Sequence, residues 1–196
     1  MTYDKIADRY DRAIAPLERM FLSEWRRETL DLLPENSELL EIGAGTGLNF
    51  RFYPKCRQSV AGEISCKMLG RARGKLPDDT VSLVQTDAEN LPFAVNSFDA
   101  AFATLVFCAL PNPEKGLAEL KRVVRHEGRI VLLEHVRPPG LRGYFFDLLN
   151  LVTAPLFDDH FNRRTADLAE KAGLKILEVR KKAFGVVNLI VCQVKK

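Results

Sequence analysis

Residues Glu38 to Phe50 read ELLEIGAGTGLNF. Leu39, Leu40 and Ile42 form a short apolar run of the kind that makes a strand buried on both faces, and glycines follow at 43, 45 and 47. The pattern predicts a strand, a glycine turn and a short helix from Gly47 to Tyr53, stopped by Pro54. Glycine admits positive φ and lets a ligand approach with no Cβ in the way, while the free N–H groups of the helix's first turn face the same space. A nucleotide-type ligand suits such a turn. Dinucleotide sites space their glycines as Gly-x-Gly-x-x-Gly, but here position 48 is leucine, so the third glycine comes one residue early.

The strands that follow bring acids to the same edge. Ser59 to Ile64 (SVAGEI) is short and largely apolar and delivers Glu63 twenty residues after Gly43, where an acid can accept hydrogen bonds from ribose hydroxyls. Ser65 is a plausible N-cap for a helix to Lys75. Val81 to Gln85 leads to Asp87 in TDAENLPF, and Ser97 to Thr104 reads as a fourth strand. In an open parallel sheet, ligands sit beyond the carboxyl ends of the strands, so the glycines, Glu63 and Asp87 can share one pocket. Further on come a helix from Glu114 to Arg125 closed by 126–128, a fifth strand from Arg129 to His135, and a helix from Arg163 to Ala172 stopped at Gly173. Two strands remain, Leu174 to Val179 and Val186 to Val194, too close for a crossover helix and hence an antiparallel hairpin. The fold class is α/β: a mostly parallel seven-stranded sheet with a C-terminal antiparallel hairpin and helices on both faces.

EIGAGTG, GEIS with Met68 and Leu69, DAENLPF, SFDAAFATLVF and ELKRVVRHEG leading into RIVLLEHVRP together resemble the class I S-adenosylmethionine-dependent methyltransferases, a Rossmann-like family. Within it the chain is most similar to the ubiquinone/menaquinone methyltransferase-like group, which includes small phospholipid N-methyltransferases. The resemblance covers roughly Tyr3 to Leu177 and implies S-adenosyl-L-methionine as cofactor. It implies that Glu41, Gly43, Ala44, Gly45 and Gly47 cradle the methionine part and that Glu63, with Ile64 and Met68 beside it, meets the ribose. Asp87 and Ala88 inherit the adenine edge, Thr104 the junction of cofactor and substrate, and Tyr10 in YDKIADRYD a cofactor contact. The family more often has aspartate where Glu63 stands. The closing hairpin and the early Gly47 oppose an NAD-dependent oxidoreductase.

At 196 residues and 46% hydrophobic content the chain reads as one domain. Its longest apolar run, Ala100 to Leu110, is too short to span a bilayer, and the polar opening Met1 to Asp11 does not read as a signal peptide. Cysteines at 56, 66, 108 and 192 and three scattered histidines give no metal-ligand spacing, so no metal and a reduced, cytoplasmic protein are expected. A net charge of +3 does not imply nucleic acid, and the Asn-Pro-Pro-Tyr motif of nucleobase amino methyltransferases is absent. Lys121, Arg122, Arg125, Arg129, Arg137 and Arg142 stand against Glu127 and Glu134, a strip readable as a solvated helix face or as a peripheral contact with an anionic membrane surface.

Residues 1–36 read as a helical cap over the site, with an apolar stripe at Leu17, Met20, Phe21, Trp25 and Leu32, split by Pro16 and ended by Pro34. Residues 141–161 (LRGYFFDLLNLVTAPLFDDHF) carry an apolar face wider than one packing contact needs. They read as a lid over an apolar or lipid-like acceptor, or as a buried core helix. Methyl transfer needs an acceptor held in a dry pocket and, for an amine or hydroxyl, a base. Glu134 and His135 at the end of strand five are the catalytic candidates, with Asp159 and His160 behind them. Besides a methyltransferase of a small apolar or lipid-like acceptor, a non-catalytic cofactor-binding module and a methyltransferase of a polar metabolite stay open.

Overall fold

The computed structural model describes residues 2–137 and 163–196. Residues 141–161, the expected lid, together with Asp159 and His160, lie outside the described residues. The apolar run becomes β1 (Glu38–Ile42), inside the sheet and parallel to both β2 (Gln58–Glu63) and β4 (Phe98–Thr104). Outside β2 lies β3 (Val81–Gln85), and outside β4 lies β5 (Val124–His135), again parallel. The chain closes with β6 (Leu174–Lys182) and β7 (Val187–Val194), and β7 inserts antiparallel between β5 and β6. The order is β3-β2-β1-β4-β5-β7-β6.

Side chains alternate across the strands, so the sheet has two apolar faces. Leu40, Ile42, Ala101, Ala103, Ile130 and Leu132 pack under α4 (Pro113–Val123) and α5 (Thr165–Lys171). Leu39, Ala100, Phe102, Val131 and Leu133 pack under α2 (Ser23–Leu30). Covering on both sides is why these strands read as continuous apolar runs. Leu39 and Leu40 are fully buried, and each contributes about 2 kcal/mol by leaving water.

The N-terminal segment is one helical run rather than two. α1 (Thr2–Leu17) passes through Pro16 into a π-helical turn (Glu18–Leu22) and then α2, with right-handed helical dihedrals at Leu17 and Leu22. Proline removes one backbone donor, and here a register change follows instead of the expected break. The acids Asp4, Asp8 and Asp11 lie one to two turns apart on α1 and face α3 (Cys66–Arg73). Asp8 pairs with Arg71 and Asp11 with Lys75, both at 2.5 Å, and Ser65 Oγ donates to Asp4 at 2.5 Å.

Three further expectations change. The helix after the glycine turn shrinks to a 3-10 turn at Phe50–Phe52, so no α-helix starts at the glycine turn. β5 begins at Val124, because Val124 pairs with Phe98 while Arg129 pairs with Ala100, and the residues between bulge outwards around Glu127 at φ +62°. The basic strip is largely used inside the fold: Lys121 donates to the Ala172 carbonyl, Arg122 to Glu119 and the Leu91 and Phe93 carbonyls, Arg125 to Glu38 and Asp99, and Arg129 to the Leu32 carbonyl. Among the described residues no helix is long and apolar enough to cross a membrane.

Candidate cofactor site

The carboxyl ends of β3, β2, β1 and β4 open onto a cavity of about 560 Å³. Ten of the residues named from the sequence line it: Tyr10, Gly43, Ala44, Gly45, Glu63, Ile64, Met68, Asp87, Ala88 and Thr104. The three glycines serve different ends. A Cβ on Gly43 (φ +67°) would stand 2.3 Å from Val106 Cγ2, and one on Gly47 (φ +79°) 2.6 Å from Phe50 Cε2, so both positions are closed by packing. At Gly45 (φ +55°) the nearest atom to a Cβ is 4.0 Å away, leaving this glycine's surface open to a ligand.

Glu63 ends β2 almost fully buried, with Oε2 accepting the Gly45 N–H at 2.9 Å and Oε1 the Ser65 N–H at 2.8 Å. Burial pushes its carboxyl above the ordinary range, while these N–H groups pull the other way. Each oxygen keeps acceptor capacity for a ligand hydroxyl. Ser65 also accepts the Met68 N–H at 3.2 Å, the cap that starts α3. Asp87 is exposed and accepts the Glu89 N–H at 2.8 Å, turning the chain so that Ala88 sits buried against the cavity. Tyr10 is half-buried over the cavity on α1, its phenol pushed up by burial.

Four residues do not join the cavity wall. Gly47 packs beneath Phe50, as above. Glu41 lies on the Leu39 face of β1 and accepts from Asn49 Nδ2 at 2.5 Å and from the Tyr53 hydroxyl, with burial raising its carboxyl to about 7. Strand alternation turns it into the protein, away from the ligand. Glu134 is fully buried and accepts three successive backbone N–H groups, those of Val106 (2.9 Å), Phe107 (3.0 Å) and Cys108 (3.2 Å). That corrects its reading as a base: its carboxylate holds the loop after β4, where Leu105 takes φ +59°, and so positions the Val106 wall. His135 is half-buried, paired with Val187, and does not line the cavity.

Arg26 was not legible as a site residue. Helical spacing places it with Leu22, Thr29, Leu30 and Leu33 on the buried stripe, and a charge on an apolar stripe is the signal that could have found it. The apolar side of the cavity is formed by Leu105, Val106, Ala109, Leu110 and Pro111. Among the described residues no cluster could hold a metal ion.

Residues 40–132 match the family model described as methyltransferase domain. Demethylmenaquinone methyltransferase of Clavibacter sepedonicus is 36% identical over 160 residues, 78% of this chain and 64% of that protein. The ubiquinone/menaquinone biosynthesis C-methyltransferase UbiE of Hahella chejuensis is 31% identical over 165 residues, 79% of this chain and 66% of that protein. Phosphatidylethanolamine N-methyltransferase of Cereibacter sphaeroides is 34% identical over 115 residues, 56% of each chain. The chain thus spans under two thirds of the length of these relatives. Among solved structures, a chain from the complex between the Haloferax volcanii Trm112 methyltransferase activator and a methyltransferase superposes with TM-score 0.78 at 16% identity, covering 99% of this chain and 98% of that one. An S-adenosylmethionine-dependent methyltransferase from Mesorhizobium loti gives 0.68 at 16%, covering 88% and 98%. These likenesses show the fold, and the sequence matches make this chain a member of the class I S-adenosylmethionine-dependent methyltransferase family.

Proposed function

We propose that the chain transfers a methyl group from S-adenosyl-L-methionine to a small apolar or lipid-like acceptor. The observation that carries the acceptor class is the division of the cavity: polar groups at the ends of β1 to β3, and an apolar wall of Leu105, Val106, Ala109, Leu110 and Pro111 beyond β4. Relatives acting on quinones and a phospholipid amine, by their names, support it.

The residues fit the cofactor. Glu63 offers buried acceptors for two ribose hydroxyls, Asp87 and Ala88 bound the adenine end, and the open face at Gly45 admits the methionine part. When bound, the cofactor supplies an electrophilic methyl on a sulfonium. The chain's part is to hold the acceptor in line and exclude water, which Val106, Ala109 and Leu110 do on the far wall. No covalent nucleophile is required. Among the described residues the carboxylates on the cavity are Glu63, Asp87 and Glu89, and Tyr3 and Tyr10 are the phenols beside them.

The test is to incubate the protein with the methyl donor and three acceptor sets, vesicles with phospholipid amines, demethylated quinols and polar amines, and to measure S-adenosylhomocysteine formed. Turnover confined to lipids or quinols supports the proposal. Turnover confined to polar amines overturns the acceptor class, and binding without turnover on any set overturns catalysis.

A further inference from the structure

Arg26 is a buried guanidinium, 4% exposed, on the wall of the cavity. Nε donates to Glu18 Oε1 at 2.8 Å, and Nη1 donates to Thr104 Oγ1 at 2.7 Å and Asn49 Oδ1 at 3.0 Å. Nη2 makes no hydrogen bond among the described residues and is not sealed off by them, so it is open to the cavity that Arg26 lines. The local charge is also incomplete. Glu18 is shared between Arg26 and the half-exposed Arg51, whose Nη2 lies 3.5 Å from Glu18 Oε2, so two cations face one carboxylate. Glu41, joined to this network through Asn49, is raised by burial to about 7 and so is only partly ionised near neutral pH.

The position of this surplus charge in the cavity identifies its complement. Gly43 follows β1, and Ile42 pairs with Ala103, so Thr104 and the guanidinium lie at the β4 end, two strands from Glu63 on β2. Two strand spacings are about 10 Å. Acids occupy the β2 and β3 ends and a cation the β4 end, an arrangement that orients an elongated ligand with hydroxyls at one end and an anion at the other. Resting on the cofactor reading above, we infer that Arg26 is a specificity-determining residue that binds the α-carboxylate of the cofactor's methionine part through its remaining N–H groups. Thr104 and Asn49 take the Nη1 hydrogens and fix the plane of the guanidinium, leaving the two Nη2 N–H groups for the carboxylate.

Three probes test this by calorimetry: S-adenosylhomocysteine, its carboxamide, and 5′-methylthioadenosine, which lacks the amino-acid part. The wild type is expected to bind the acid about tenfold to a hundredfold tighter than the amide. In Arg26→Met, and in Glu18→Gln/Arg26→Met, where no buried carboxylate is left unpaired, that preference disappears while 5′-methylthioadenosine binds as in the wild type. Arg26→Lys recovers part of the preference. A preference that survives in both Met variants overturns the inference, as does an equal loss for all three probes, which makes Arg26 a structural residue. If the wild type binds none of the three, the cofactor reading itself fails and takes this inference with it.

Discussion

Glu134→Gln tests the claim that this carboxyl builds the site rather than acting in it. Glutamine keeps Oε1, which can still accept from Val106 and Phe107, but it turns an NH2 toward the Cys108 N–H, donor against donor. One orphaned buried donor costs about 1–3 kcal/mol. The pH dependence is more specific. Burial holds the Glu134 carboxyl up to about 7, against an ordinary 4.5. Because the folded value is raised, the protonated group's advantage is fully present below about 4.5 and is lost as pH rises through about 7. A displacement of that size is worth roughly 3 kcal/mol. Glutamine does not titrate, so the variant's deficit against the wild type is expected to be largest near pH 4.5 and smallest above pH 7. Glu41, displaced in the same direction, is present in both proteins and cancels in the difference. Urea unfolding of both proteins at several pH values between 4.5 and 8 measures it. A deficit that grows with pH would refute the reasoning, because it would mean that the three N–H groups keep Glu134 ionised in the folded protein.

Other expected outcomes follow from the same geometry. Gly45→Ala meets no atom nearer than 4.0 Å, so unfolding should show only the left-handed backbone cost of about 1–2 kcal/mol, while calorimetry shows a larger loss of S-adenosylhomocysteine affinity. Gly47→Ala should do the reverse, losing stability against Phe50 with a smaller change in affinity. Glu63→Ala strips the partners of the Gly45 and Ser65 N–H groups, so both cofactor affinity and fold stability should fall, the latter by about 2–4 kcal/mol in denaturant titration; unchanged stability would show that water replaces the carboxylate. S-adenosylhomocysteine at about 100 times its dissociation constant should stabilise the wild type by roughly 2.7 kcal/mol, about 5–10 °C in melting temperature, with no comparable shift from NAD.

The sequence by itself determined the order of strands and helices, the closing hairpin and the edge of the sheet that carries the site. These depend on local signals: apolar runs at 39–42 and 100–103, glycines at 43, 45 and 47, a serine cap at 65, and a gap at 180–185 too short for a crossover. Resemblance then attached a cofactor to that edge, and ten of the named residues do meet on one cavity. What only the tertiary structure decided is which way each polar side chain is spent. Glu41, Glu63 and Glu134 all stand in strands near their carboxyl ends, yet one accepts from Asn49 and Tyr53, one faces the ligand cavity, and one ties down the loop at 106–108. Arg26 and Arg27 are neighbours of the same type, but Arg27 pairs with Glu24 and Asp31 in solvent while Arg26 reaches Thr104. The partners that distinguish them lie up to 78 residues away. A buried polar group must find such a partner wherever the fold places it, and that partner is set by the packing of distant elements, which no local pattern records.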